Sequence, residues 1–105
     1  MVPNLIASLL FSLAASQVSG GTSTKADEAY GEYLSGECMA CHHTQGIDQG
    51  IPSISGKDRE GFIYLMEAYR SKELDHPVMQ MVAGRLDDEQ IASLALYFSK
   101  LPAQN

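Results

Sequence analysis

Apolar residues recur at helical spacing in three stretches, and nowhere does the chain alternate apolar and polar residues in the run that a half-buried strand requires. In the first stretch Ala26, Ala29, Tyr30, Tyr33 and Leu34 share one face, with Thr24 placed to cap the helix and Asp27 three residues later. In the second, Phe62, Leu65, Met66 and Tyr69 follow the i, i+3, i+4, i+7 rule behind a capping Asp58. The third carries the most complete signature. Asp87 is its cap, Gln90 holds the capping-box position, and Leu86 can staple onto Ile91. Ile91, Leu94, Ala95 and Phe98 form the buried stripe, and Pro102 stops the pattern. Two connections separate these helices. One is Gly-rich, Thr44 to Lys57, with Gly46, Gly50, Pro52 and Gly56. The other, Leu74 to Arg85, holds Pro77, Met79 and Met81 and reads as a loop. The prediction is an all-α chain with three main helices.

The first twenty residues differ in kind. Leu5 to Val18 carries no charge, and its apolar centre, Leu5 to Ala15, is shorter than the roughly 20 residues a bilayer span takes. That length suits the apolar region of an export signal, and Val18-Ser19-Gly20 or Ala14-Ala15-Ser16 supplies small residues for cleavage. Residues 1–21 are therefore expected to be a cleaved signal peptide with a short flexible leader, and residues 22–105 the single domain. Met1 to Asn4 lacks Lys and Arg, which leaves an uncleaved anchor as the rival reading. Cleavage implies export, to the periplasm, and no stable membrane span in the mature chain.

Charge narrows the partners. The 105 residues include 7 basic and 13 acidic side chains, a formal charge of −6, all from Lys25 onward. No basic stripe exists to meet phosphate, which excludes a nucleic-acid binder. An acidic surface suits docking on a basic patch, and it also keeps a carrier soluble. A chain this short buries only about 60% of its unfolded surface and needs a staple.

The chemistry concentrates at Cys38-Met-Ala-Cys41-His42. Cys-x-x-Cys-His is the spacing of c-type haem attachment. Two thiols one helical turn apart reach the two vinyl edges of one porphyrin, and the next imidazole lies under the iron. A thioredoxin-like dithiol would need a βαβ setting. A structural disulfide leaves His42 unexplained, and zinc wants a fourth ligand. A second axial ligand from Met raises the reduction potential. Met1 falls in the leader, Met39 inside the motif and Met66 on a helix face, so Met79 and Met81 remain, and spacing does not choose between them.

Together these features resemble class I cytochrome c, over about residues 26–101, and most of all its small bacterial branch. Members of that branch include the lobes of di-haem cytochromes c and the cytochrome subunit of flavocytochrome c sulfide dehydrogenase. The matching residues are Cys38 to His42, Pro52-Ser-Ile54-Ser-Gly56, Tyr69-Arg70-Ser71, and the run from Met79 through Val82-Ala83 and Leu86 to Phe98. The resemblance implies helices and loops wrapped around one covalent haem c, with Cys38 and Cys41 as thioethers and His42 and Met79 as axial ligands. Met81 then becomes packing. It also implies that the Pro52 carbonyl accepts the His42 ring N–H, a contact that sets ligand basicity. Tyr97 or Phe98 should pack where the first and last helices cross, near Gly31. The family's small residue stands eight positions before the first Cys, where this chain has Tyr30. Arg70 is a candidate for a haem propionate, although a solvated Arg is the simpler expectation. His43 stands where Gly is usual and reads as a loop residue, and His76 as a rival iron ligand if the Met connection opened.

The implied function is single-electron transfer by a monohaem cytochrome with no catalysis of its own. Its partner is a redox protein, with the flavoprotein of a sulfide dehydrogenase as the specific candidate and a freely diffusing carrier as the alternative. Contact is expected around Met39-Ala40, Ile51 and Val78 to Gln80. A five-coordinate peroxidase or gas sensor would need an open axial position, and a non-haem binding module would be colourless.

Overall fold

The computed structural model describes residues 25–104. The expected export segment lies outside them, as does Thr24. Four α-helices follow in order: α1 Glu28–Met39, α2 Arg59–Arg70, α3 Pro77–Gly84 and α4 Asp88–Ser99, with a 3₁₀ turn Thr44–Gln49 after α1. Among the described residues there is no strand, as the absence of alternating patterns predicts.

The last helix forms as its sequence dictates. The Asp87 carboxylate accepts Gln90 N–H at 2.8 Å and the Gln90 side chain accepts Asp87 N–H at 2.9 Å, a complete capping box. Ile91, Leu94, Ala95 and Phe98 are buried. Phe62 and Met66 of α2 and Ala83 of α3 join them in one apolar core, where the Phe62 and Phe98 rings lie 5.8 Å apart. Asp58 caps α2 as expected, accepting Gly61 N–H at 2.9 Å.

Four expectations need correction. The α1 cap is Asp27, which accepts Tyr30 N–H at 2.9 Å. The helix therefore starts a turn later than a Thr24 cap would place it. Asp27 N–H in turn donates to Ser93 Oγ at 3.0 Å, so the start of α1 is tied to α4. The buried stripe of α1 is also not the aromatic one. Tyr33 is 81% exposed, while Gly31 and Ser35 are buried. The cause is the close approach of α1 to α4. A Cβ on Gly31 would lie 2.8 Å from Tyr97 Cβ and closer still to the Ser93 carbonyl oxygen. The bare face must turn inward, which puts the crossing at Gly31 and Tyr97 as the resemblance implied. The Tyr30 hydroxyl accepts from Gln90 Nε2 at 3.0 Å.

The third correction is α3 itself, where a loop was expected. Pro77 stands in the first turn, where a missing N–H costs nothing, and His76 caps the helix by accepting Met79 N–H on Nδ1 at 3.2 Å. Within α2, Leu65 is 48% exposed and Ala68 is buried in its place.

Candidate functional site

The motif straddles the end of α1. Cys38 lies in the last helical turn and is half-buried against the core, whereas Cys41 is exposed just beyond it. The Cys38 carbonyl accepts both Cys41 N–H at 3.2 Å and His42 N–H at 2.8 Å, so the chain keeps turning and carries both thiols and the imidazole together. The thiols are unbridged. Burial pushes the Cys38 thiol up to about 11. The neighbouring Glu37 charge contributes to that rise, and a backbone hydrogen bond opposes both. Among the described residues, no three or more His, Cys, Asp or Glu side chains are gathered to hold a metal ion between them.

His42 Nδ1 lies 2.7 Å from the Pro52 carbonyl oxygen. A carbonyl only accepts, so this nitrogen carries the proton and Nε2 keeps its lone pair. Nine residues, 43–51, lie between the two, and the 3₁₀ turn spans most of that gap. Its Gly50 sits at φ +81°, a left-handed conformation that glycine adopts freely.

Met79 and Met81 occupy different surroundings although both ride on α3. Met79 is half-buried and packs against the same core as Cys38; Met81 is 59% exposed. Val78, one residue before Met79, is 53% exposed. Met66 is core and Met39 packs partly against it, as Met79 and Cys38 do.

Arg70 is neither free in solvent nor aimed at the motif. Its guanidinium donates to the Leu86 carbonyl at 3.1 Å and pairs with Asp88 at 2.6 Å, tying the end of α2 to the start of α4. His76 is occupied as the α3 cap and meets Tyr69 edge-on at 6.3 Å. His43 is the residue the sequence reading undervalued. Its Nδ1 accepts Gly46 N–H at 3.1 Å and caps the 3₁₀ turn. Histidine is a rare cap, so composition carries little signal for it.

Two curated proteins align over most of the described region. The chain is 36% identical over 78 residues to cytochrome c-554(548) of Halomonas halodenitrificans, covering 70% of this chain and 94% of that protein. It is 34% identical over 79 residues to the cytochrome subunit of sulfide dehydrogenase of Chlorobaculum tepidum, covering 74% and 72% respectively. No protein-family model matches the chain. An all-helical fold, a Cys-x-x-Cys-His turn and these two alignments define the class: the chain belongs to the cytochromes c, in their small class I-like form. It is thus an electron-transfer protein of covalently bound haem c.

Proposed function

We propose that this chain is a periplasmic monohaem cytochrome that passes single electrons, with Cys38 and Cys41 as the thioether bonds and His42 and Met79 as the axial ligands. The observation that carries the proposal is the 2.7 Å contact between His42 Nδ1 and the Pro52 carbonyl. It fixes the ring and its tautomer and leaves Nε2 free to bind a metal.

The residues fit the group. The sequence has two cysteines and one such motif, which is the complement for a single haem. Cys38 and Cys41 flank one turn of backbone with no disulfide between them. Met79 supports the thioether role better than Met81, because its side chain turns toward the core and Met81 faces solvent. Haem, when bound, supplies the iron that alternates between ferric and ferrous. The chain's own residues do the rest. The two thioethers hold His42 in register through both states. The Pro52 carbonyl raises the imidazole's basicity. A Met79 sulfur favours the ferrous state and raises the potential. The packed core around Phe62, Met66 and Phe98 keeps water and reorganisation low.

Residues 1–21 act as the export signal in this reading, with the domain spanning 22–105. Among the described residues no helix is long and apolar enough to cross a membrane. The partner is a redox protein. A flavoprotein subunit of sulfide-dehydrogenase type is the specific candidate, because one relative bears that subunit's name. A freely diffusing carrier is the second reading, favoured by coverage of 94% of cytochrome c-554(548) against 72% of the sulfide dehydrogenase subunit. The exposed Val78 and Ala40 lie in the expected contact region, and Gln80 is held back by its bond to the Leu74 carbonyl at 2.8 Å.

The ligand assignment is tested by replacing each methionine of α3 in the haem-loaded protein. Met79→Ala is expected to lower the reduction potential and alter the ferric spectrum, while Met81→Ala leaves both at wild-type values. The reverse pattern transfers the role to Met81, and no change in either removes methionine ligation from the account.

A further inference from the structure

Residues 42–52 close on themselves through alternating covalent and hydrogen-bonded links. His43 Nδ1 accepts Gly46 N–H at 3.1 Å, reinforced by the same N–H reaching the His43 carbonyl at 2.9 Å. The Gly46 carbonyl accepts Ile51 N–H at 2.9 Å. Ile51 precedes Pro52, whose carbonyl accepts His42 Nδ1–H at 2.7 Å. His42 is bonded to His43, and the ring is complete. Gly46 is its hub. It is buried, and a Cβ there would lie 2.5 Å from the Cys41 carbonyl oxygen and 3.3 Å from Ile51 Cβ. The turn is therefore pressed against both the cysteine side and the proline side of the motif.

We propose that His43 is a positioning residue for His42: by capping Gly46 it fixes the turn that delivers the Pro52 carbonyl to the imidazole. This rests on the reading of His42 as a haem ligand. The segment that carries the Pro52 carbonyl, residues 51–54, has no regular structure of its own, so its position follows from what tethers it. The His43 side chain supplies an acceptor at the head of the turn, where an alanine supplies none. Losing it loosens Gly46, then Ile51, then the Nδ1–H···O bond. A weaker bond lowers imidazole basicity and shifts the iron toward the ferrous state.

The test uses the haem-loaded protein and three forms: wild type, His43→Ala, and His43→Asn, which keeps a capping acceptor. Two quantities are read, the reduction potential and the NMR exchange rate of the His42 Nδ1 proton. His43→Ala is expected to raise the potential and speed that exchange roughly fivefold, the factor an ordinary cap loss corresponds to, while His43→Asn stays near wild type. Equal values in wild type and His43→Ala overturn the proposal, as do equal shifts in both variants. Should the alanine variant not fold, the ring ¹⁵N shifts of wild-type His43 decide. The proposal needs neutral His43 to carry its proton on Nε2, and a proton on Nδ1 overturns it. A wild type without haem absorption would sink the haem reading of His42. A normal wild-type spectrum with an unresponsive His43→Ala sinks only the positioning role.

Discussion

Cys38 and Cys41 are chemically unequal although they belong to one motif. Cys41 is exposed, whereas burial raises the Cys38 thiol from 9.0 to about 11. The unequal setting makes a pH prediction. Before attachment, the folded chain holds the Cys38 proton in a range where the unfolded chain releases it. The native state then binds more protons, so stability falls as pH climbs from about 9 toward 11. Under the proposed assignment, haem attachment would convert the thiol to a thioether and remove that Cys38-dependent loss. Denaturant melts of attached and unattached protein across this range check it: only the unattached form should weaken on account of Cys38. At this scale the motif was open to sequence reading, because Cys-x-x-Cys-His is a covalent requirement written in adjacent residues. The expected Pro52 contact is likewise present. His43 and Arg70 were not readable. Their partners, Gly46 N–H in one case and the Leu86 carbonyl with Asp88 in the other, are set by how the loop folds and how α2 meets α4.

At the scale of elements, α4 was legible and α3 was not, for one physical reason. The signals of α4 are local: a cap, a capping box, a stripe and a stop within Leu86 to Pro102. Those of α3 are weak, since the segment reads as a Pro-containing loop while Pro77 in fact starts a helix. The inward face of α1 was misread because a missing side chain, Gly31, determines it, and the apolar pattern records only side chains that are present. The end of α2 offers a stability prediction. Lys72, just past its cap, sits at φ +68°, a left-handed conformation that costs a side-chain-bearing residue about 1 kcal/mol. Lys72→Gly should remove most of that cost and raise the thermal midpoint by a few degrees. An unchanged or lower midpoint in a thermal melt would show that Lys72 makes a compensating contact.

For the whole molecule, charge and packing divide the work. The core of α2, α3 and α4 supports the site, and a net charge of −6 shapes the approach of partners. The ion pairs are peripheral. Lys100–Glu28 at 2.8 Å is half-exposed at both ends and contributes little. The acidic balance predicts that capture of a partner is salt-sensitive. A pull-down from native extract at low ionic strength should bring down a redox protein, with a flavin spectrum if the sulfide-dehydrogenase-type assignment holds. Raising the salt should release it as the Debye length falls to roughly 8 Å and below. A partner held equally well at high salt would point to apolar contact alone.

The proposed electron transfer depends on a porphyrin joined to this chain through two sulfurs. Intact mass measurement of the exported protein, with and without a thiol-alkylating reagent, tests that most directly. The account predicts one added haem, a chain beginning near residue 22, and no alkylation at Cys38 or Cys41. A bare polypeptide mass with both thiols alkylated would contradict it.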